Sequence, residues 1–407
     1  MQVISNYVCG MDVHKKSITA CVLTPKKKVI QTFGTMTDDL LELNDWIKSF
    51  KCTHVAMEST GVYWKPIYNL LELEDNIEVF VVNAQHMKQV PGRKTDVKDS
   101  EWIADLLKHG LLKPSYIPNR DQRELRELVR YRRSLIEERA REANRIQKVL
   151  EGANIKLGSV ATNILGVSGR SMIREMINGE NNPEKLANLA RSALKKRKTS
   201  LEQSLKGLIR HHQRLMLETQ MNHIEFLESQ ISELDEEIKQ RLNPLTEEIE
   251  LLDTIPGIGR RTAEQLLAEI GHDMTRFQSA AHLASWAGMA PGQNESAGKR
   301  RNTRTRDGNK YLRSALIESA TSCVRKKESY LKAKYQRLAR RRGKKKAIVA
   351  IAHQLLIIIY HILTKKEQYK ELGADYYDKQ KIESKKQQAI NSLEKLGYEI
   401  QLVPKIA

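Results

Sequence analysis

The sequence predicts an α/β domain at the N-terminus followed by a mostly helical region, in a chain of 407 residues. Two observations predict this fold class. Short apolar runs alternate with amphipathic segments over residues 3–110, whereas apolar residues recur at seven-residue steps from residue 121 onward. With 40% hydrophobic residues the chain can bury real cores. Its length allows two or three domains, at roughly 100–200 residues each.

The predicted elements of the N-terminal region follow one another in a distinctive order. Three strands come first, over Val3–Cys9, Ser17–Leu23 and Val29–Phe33. Helices and strands then alternate: helix Asp38–Phe50, strand Thr53–Met57, helix Trp64–Glu72, strand Glu78–Val82 and a helix over about Val97–His109. Three meander strands followed by alternating helices and strands are typical of the ribonuclease-H-like fold.

Heptad patterning predicts two long helices in the middle of the chain. The apolar positions of the first are Val129, Ile136, Ala143 and Leu150, and those of the second are Leu217, Ile224, Ile231, Ile238 and Leu245. Sustained heptads flanked by charged residues favour coiled-coil packing. The two helices could pair within one chain as an antiparallel hairpin or form a dimer interface. The intervening residues 154–200 are expected to form short helices and loops.

Four acidic residues in the N-terminal region are candidate metal ligands. Asp12 and Glu58 end apolar runs, and Asp96 and Asp99 lie three apart where a helix is expected to begin. Carboxylates at strand ends and on the first turn of a helix can converge in space, and such a cluster repels itself unless a cation neutralises it. Oxygen-only ligation suits Mg²⁺.

The distribution of charge predicts a polyanionic partner. The formal net charge is +19, and residues 299–346 contain 19 Lys or Arg against three acids. A field this concentrated indicates nucleic acid more than a membrane surface. The apolar run Ala347–Leu363 is too short for a typical membrane span and contains polar residues, so we expect a buried helix.

A glycine-containing turn near residue 255 resembles a helix-hairpin-helix motif. Its sequence is Ile-Pro-Gly-Ile-Gly, with Gly257 and Gly259 followed by Arg260 and Arg261. Glycines allow close backbone approach, and amides at the following helix N-terminus can hold a phosphate. The alternative is a tight turn between two packed helices, without contact to DNA.

Ser296 is a candidate nucleophile because of its surroundings. It is expected to lie in a glycine-containing loop beside a dense run of cations, which would stabilise charge developing on a phosphodiester. A serine hydroxyl needs activation, and no Ser-His-Asp arrangement is evident nearby, so a metal site is the economical source. The cations expected to grip phosphate are Lys299, Arg300, Arg301, Arg304, Arg306, Lys310 and Arg313. A later cluster is expected to bind RNA or DNA non-specifically: Arg340, Arg341, Arg342, Lys344, Lys345 and Lys346.

Five motifs in order resemble the transposases of the insertion sequence 110 family, also called DEDD transposases. They are GMDVHK (10–15), MESTG (57–61), KTDVKD (94–99), IPGIG (255–259) and NESAGK (294–299), and the resemblance extends over about residues 7–365. The sequence departs from the family at Ser100 and Ala297, where many members have alanine and glycine.

The resemblance implies a fold, a set of site residues and partners. It implies a RuvC-like domain at 1–115, a coiled-coil linker at 116–248 and a transposase domain at 249–365, while residues 366–407 form a tail with no assigned role. Asp12, Glu58, Asp96 and Asp99 match the metal-binding acids, and Ser296 matches the catalytic serine. Family members are recombinases guided by a structured bridge RNA that pairs with target and donor DNA, and they act as multimers.

These inferences combine into one expected activity with two rivals. The expected enzyme is cytoplasmic, uses Mg²⁺ or Mn²⁺, and forms a covalent phosphoserine link to double-stranded DNA as a dimer or tetramer. One rival is a Holliday-junction-type nuclease in which water attacks and Ser296 is a loop residue. The other is a non-enzymatic nucleic-acid scaffold, against which the four acids argue.

Overall fold

The computed structural model of the chain describes residues 5–59, 61–83, 99–291, 294–296, 299–302, 305, 308–397 and 400. The chain divides into two compact units, which meet in sequence between residues 119 and 120. The first unit contains a five-stranded sheet, and the second is helical apart from a two-stranded hairpin. The predicted fold class, a mixed α/β region followed by a helical region, agrees with this architecture.

The sheet of the first unit is built from elements in the predicted order. They are β1 Val8–Val13, β2 Ile18–Leu23, β3 Lys28–Phe33, α1 Thr37–Ser49, β4 His54–Glu58, α2 Trp64–Leu71, β5 Glu78–Val82 and α3 Asp99–Lys108. The strand order is β3-β2-β1-β4-β5. Strands β1, β2 and β3 are antiparallel neighbours, while β4 and β5 run parallel to β1. This topology is consistent with the ribonuclease-H-like order.

Helices cover both faces of the sheet. Side chains of a strand alternate between its two faces. On one face Met11 and Met57 are buried with the apolar side chains of α1 and α2. On the other face Val8 and Ala56 are buried with those of α3. Residues of β1 and β4 with even numbers therefore face α3.

The first strand lies later in the sequence than the predicted Val3–Cys9. Residues Val8 to Val13 pair in register with β2, from Leu23 back to Ile18, and the amide of His14 donates to the carbonyl of Ser17 at 2.9 Å to close the turn. Gly10 and Asp12 are poor strand formers, which is why the sequence pattern ended the strand too early. Asp12 therefore lies inside a strand rather than beyond its end.

The second unit begins with two long helices separated by shorter ones. They are α4 Arg120–Gly152, α5 Leu157–Val160, α6 Val167–Ile177, α7 Pro183–Asn188, a 3₁₀ turn Ser192–Arg197, α8 Lys198–Ser204 and α9 His211–Arg241. The predicted heptad at Leu245 falls beyond α9, in a 3₁₀ turn that contains Pro244. Proline lacks the amide that a helix interior requires, so the long helix ends before it.

Helices α4 and α9 pair with each other, antiparallel and within one chain. Arg241 near the end of α9 bonds Glu124 near the start of α4 at 2.9 Å. Towards the middle, Arg139 of α4 bonds Glu228 of α9 at 2.6 Å. Leu135 packs with apolar residues of α9 between these ion pairs. Of the two readings of the heptads, the intramolecular hairpin is the one observed.

The remainder of the second unit packs around one apolar core. Its elements are α10 Thr246–Asp253, α11 Arg260–Ile270, a 3₁₀ turn Met274–Arg276, α12 Ala280–Trp286, β6 Asn294–Ser296, β7 Lys299–Asn302, α13 Lys310–Cys323, α14 Tyr330–Arg342, α15 Lys344–Lys365 and α16 Tyr376–Glu394. The predicted buried helix at Ala347–Leu363 is confirmed as α15. By length and composition α15 could cross a membrane, yet Ile351, Leu355 and Ile359 are fully buried in this core. No membrane span is indicated.

Candidate active site and nucleic-acid interface

Asp12 and Glu58 lie on the same face of the sheet, on neighbouring parallel strands. Gly10 pairs with Ala56 and Met11 with Met57, so the next step along both strands places Asp12 beside Glu58. Neighbouring strands lie about 4.8 Å apart. Both acids have even numbers and face the side of the sheet covered by α3. The carboxyl ends of β1 and β4 therefore bring two of the four predicted acids together.

Helix α3, which begins at Asp99, packs on the same side of the sheet. A β-carbon on Gly10 would lie 2.3 Å from the carbonyl oxygen of Ser100 and 2.3 Å from the amide nitrogen of Ala104. The backbone of α3 thus rests on β1 at a point where only glycine fits. Asp99 is the first residue of α3 and directly precedes Ser100. Packing at Gly10 therefore holds the start of this helix near the strand that carries Asp12.

Asp12 has a neighbour whose role the sequence left open. The Nε2 atom of His14 lies 3.0 Å from Oδ2 of Asp12, and the His14 side chain is 65% exposed. The sequence alone assigns no role to His14. The structure adds this hydrogen bond to a predicted metal ligand. The i, i+2 spacing at a strand end was the signal that could have found it, because such residues share a face.

The predicted ligands Asp12, Glu58 and Asp99 offer only oxygen atoms, the donor type that a hard divalent cation prefers. Within the described part of the chain, no three His, Cys, Asp or Glu side chains form a group that could hold a metal ion. Asp96 lies in residues 84–98, outside the described residues. The chemistry of the acids fits Mg²⁺ or Mn²⁺, and a complete ligand set remains a prediction.

Ser296 lies at the end of a strand, which corrects its predicted place in a loop. Strand β6 pairs antiparallel with β7, with Ser296 opposite Lys299 and Glu295 opposite Arg300. Residues 297 and 298, between the two strands in sequence, lie outside the described residues. Strand β7 is Lys-Arg-Arg-Asn, a composition without strand signals, so its pairing was not predictable from pattern. We name β6 and β7, with Pro291 and Thr305 at their base, the serine hairpin.

The base of the serine hairpin is tied to the helical core. Pro291 and Thr305 form an isolated antiparallel bridge. Nη1 of Arg313 donates to the Thr305 hydroxyl at 2.9 Å and to the carbonyl of Gly288 at 3.0 Å. Arg313 thus has a structural contact, and its predicted contact to phosphate stays a prediction. Lys310 is exposed beside Tyr311, and Arg304 and Arg306 lie outside the described residues.

The two glycines of the helix-hairpin-helix turn have different surroundings. Gly257 has a φ of +88°, and a β-carbon there would meet the Ser319 carbonyl at 2.6 Å. It therefore serves the packing of the turn on α13. Gly259 is exposed at the N-cap of α11, and its nearest neighbour to a β-carbon is 3.9 Å away. Of the pair, Gly259 has the open backbone, with Oδ1 of Asp253 as its nearest neighbour, and its contact to phosphate stays a prediction.

Two family models match this chain, one in its N-terminal part and one in its C-terminal part. A DEDD transposase model of the IS110 group matches residues 9–155, which include all four predicted acids. A second family model, described as transposase IS116/IS110/IS902 family, matches residues 249–336, which include the turn and Ser296. The chain belongs to the IS110 family of transposases. Its enzyme class is DNA transposase.

Relatives of this IS110-family chain include proteins named for DNA inversion and for transposition. The pilin gene-inverting protein of Moraxella lacunata is 26% identical over 382 residues, covering 88% of this chain and 96% of the relative. The transposase for insertion sequence element IS1111A of Coxiella burnetii is 24% identical over 374 residues, covering 89% and 91%. The insertion element IS110 43.6 kDa protein of Streptomyces coelicolor is 32% identical over 165 residues, covering 40% and 36%.

The later cationic cluster lies beyond both family matches. Arg340, Arg341 and Arg342 end α14, and Lys344, Lys345 and Lys346 begin α15 after Gly343, which has a φ of +81°. All six cations are exposed. Within the described part of this IS110-family chain, none of the six is ion-paired with an acid. Such a cluster is suited to polyanion contact.

Proposed function

We propose that this transposase cuts and rejoins DNA by serine transesterification. In this proposal Ser296 is the nucleophile, and Asp12, Glu58, Asp96 and Asp99 are the ligands of a divalent cation. The observation that carries it is the shared sheet face of Asp12 and Glu58, with the start of α3 packed beside it. Two carboxylates on neighbouring strands, in a chain of net charge +19, support metal-assisted chemistry on a polyanion.

The proposed step conserves phosphodiester bonds. The Oγ atom of Ser296 loses its proton and attacks phosphorus, a P–Oγ bond forms, and one P–O bond to deoxyribose breaks. The departing sugar oxygen takes up a proton. Attack by a sugar hydroxyl on the phosphoserine reverses the chemistry and rejoins DNA without ATP, in agreement with the absence of a GxxxxGK[ST] sequence from the chain.

Each group of predicted site residues has a separate role in the proposed reaction. Carboxylates hold the cation, which when bound polarises phosphate oxygens and lowers the pKa of a coordinated hydroxyl. Cations beside Ser296 neutralise charge on the attacked phosphate. Those assigned to this role are Lys299, Arg300, Arg301, Arg304, Arg306, Lys310 and Arg313. Gly259 and the amides at the start of α11 hold DNA backbone without reading its sequence.

The proposal extends to partners of the enzyme. Donor and target DNA are the substrates, because inversion and transposition, the activities in the names of the relatives, both require joined DNA ends. A structured guide RNA supplies the sequence choice, and the exposed cluster Arg340–Lys346 is its proposed contact. We propose that the active form is a dimer or tetramer.

A nicked suicide substrate tests the central step. When the cut fragment diffuses away, a phosphoserine link is trapped and the protein migrates with labelled DNA. We expect the adduct with the wild type in Mg²⁺, none with Ser296→Ala, and an unchanged yield with Ser322→Ala, an exposed serine of the same unit. Cleavage without adduct, unaffected by Ser296→Ala, would favour the Holliday-junction-type nuclease instead.

Guide dependence needs a separate experiment. The protein is expressed with and without the DNA that flanks its reading frame, and the RNA that co-purifies is sequenced. The proposal expects one structured transcript of flanking origin, and recombination only when it is present. Recombination of equal yield without any flanking transcript would contradict the guide.

A further inference from the structure

Glu269 is a buried carboxylate at the end of α11, the helix that Gly259 caps at its start, and no predicted site role includes it. Its side chain is fully buried, with 0% exposure. Arg130 of α4 binds it with two hydrogen bonds, Nε to Oε1 at 2.7 Å and Nη2 to Oε2 at 2.8 Å. Nε of Arg126 lies 3.4 Å from Oε2. Two guanidinium groups therefore satisfy the charge that burial would otherwise penalise.

The same carboxylate reaches the segment that follows the serine hairpin. Nδ2 of Asn309 donates to Oε2 of Glu269 at 2.5 Å. Oδ1 of Asn309 accepts from the amides of Tyr311 and Leu312, both at 3.1 Å, and so caps α13. Because two backbone donors require the oxygen, the amide nitrogen must face Glu269. The orientation of this side chain is chemically determined.

Neighbouring contacts make this segment a rigid support. A β-carbon on Gly308 would lie 2.4 Å from the amide nitrogen of Gly288, so the two backbones touch. Arg313, one turn into α13, holds both Gly288 and Thr305. The guanidinium of Arg130 also lies over the ring of Tyr311, 4.2 Å from its centroid. Residues 308–313 are thus held on several sides, and Asn309 is the link to Glu269.

We infer that Glu269, acting through Asn309, is a positioning residue for the Ser296 step. This inference rests on the proposed function, because it assigns Ser296 the attack. Glu269 touches no substrate. It sets where the serine hairpin leaves the core by holding the cap of α13, four residues beyond Thr305. Arg130 and Arg126 carry this restraint to the long helix α4.

The sharpest test exchanges the amide of Asn309 and the carboxylate of Glu269. Asn309→Asp keeps an N-cap oxygen but places two carboxylates against each other, and Glu269→Gln removes the charge that Arg130 holds. When both substitutions are combined, the new amide at position 269 donates to the new carboxylate at position 309. The two positions are then joined by one hydrogen bond and together carry one negative charge, as in the wild type. Asn309→Ser is the milder single change, since its hydroxyl keeps a cap oxygen but lacks the amide group that reaches Glu269.

The readouts separate positioning from folding. We expect Asn309→Asp to bind DNA like the wild type but to form adduct up to about 100-fold more slowly, since a displacement near 1 Å can cost that much. Trypsin should cut after Lys299, Arg300 or Arg301 faster, with little change in the thermal midpoint. The double variant should recover most of the adduct rate, a coupling that independent sites would not show.

Two outcomes distinguish the inference from the proposed function. If the wild type forms adduct and Asn309→Asp forms it equally fast with unchanged trypsin cleavage, the positioning role is overturned. A wild type that cleaves without adduct overturns the serine mechanism instead, and faster trypsin cleavage in Asn309→Asp, reversed in the double variant, would still support the restraint.

Discussion

Gly10 and Ser100 are in backbone contact: a β-carbon on Gly10 would lie 2.3 Å from the carbonyl oxygen of Ser100. This contact joins the strand of Asp12 to the helix that begins at Asp99. It explains why a residue with poor strand propensity occupies the middle of β1. The metal-ligand prediction depends on it, since any side chain here would push α3 away from the sheet.

Gly10→Ala should therefore loosen the acid cluster. Overpacking of this kind costs about 1–3 kcal/mol. We expect a lower thermal midpoint and, at a temperature where the variant is folded, a higher Mg²⁺ requirement for DNA cleavage. Gly152→Ala is the matched control, because its β-carbon would meet only Gln213 at 3.8 Å. Equal stability of the two variants would contradict the close packing of α3 on β1.

Removing one carboxylate should separate binding from chemistry. Asp12→Asn should reduce adduct formation at least about 100-fold, while affinity for DNA stays the same or rises. Chelation by EDTA should have the same effect on the wild type, reversed by added Mg²⁺. Asp45→Asn, an exposed acid of α1, serves as control. Full activity of Asp12→Asn in the presence of EDTA would show that the acids take no part in the mechanism.

The cationic cluster that ends α14 should determine much of the salt dependence of nucleic-acid binding. Each lost phosphate contact lowers the slope of log affinity against log salt by about 0.9. Replacing Arg340, Arg341 and Arg342 with glutamine should lower it by up to three such steps. The exposed trio Lys195, Lys196 and Arg197 offers the same charge change elsewhere, with a smaller expected effect. A larger decrease of this slope for the control trio would indicate that nucleic acid binds at residues 195–197 instead.

Lys366 should attach the start of the C-terminal tail in a pH-dependent way. Burial disfavours the charged form of Glu248, yet the hydrogen bond from Lys366 holds its pKa below the ordinary value. A carboxyl group whose pKa is lower in the folded state stabilises the fold at pH values above its pKa in the unfolded chain. This stabilisation is lost as the pH falls through the pKa of the folded state. Lys366→Met should lower the thermal midpoint at neutral pH, and the difference should vanish in acid.

The matched control for this change is Lys370→Met. Lys370 pairs with Glu367 at 3.4 Å, and both side chains are largely exposed. Exposed pairs of this kind contribute about 0–1 kcal/mol, so the control should be near neutral at every pH. A pH-independent loss in Lys366→Met would show that the methylene packing of Lys366 matters more than its charge.

Local sequence patterns predicted most of the helices and strands. Contacts between residues distant in sequence could not be predicted from such patterns. Strand Glu78–Val82 has the predicted bounds, because its alternation and flanking turns are local signals. The strand around Asp12 was misplaced, since the need for Gly10 arises only when α3 packs on it. Ser296 was expected in a loop because β7 has no strand composition.

Glu269 was missed for a related reason. Within its helix it resembles any charged residue, and its partner Arg130 is 139 positions away. Burial of a carboxylate becomes visible only once α4, α11 and α13 are brought together. The four acids and Ser296, in contrast, were predicted from their places beside apolar runs, a helix start and the cationic segment, and from the motif order, and their roles stay predictions.

The most direct test of the account is to locate the protein–DNA bond. The trapped adduct is digested with nuclease and trypsin, and the modified peptide is sequenced by mass spectrometry. The tryptic peptide spanning residues 277–299 contains Ser279, Ser285 and Ser296. We predict a nucleotide phosphate on Ser296 alone, formed only with Mg²⁺ or Mn²⁺. A phosphate on another residue, or cleavage that leaves no modified peptide, would contradict serine transesterification.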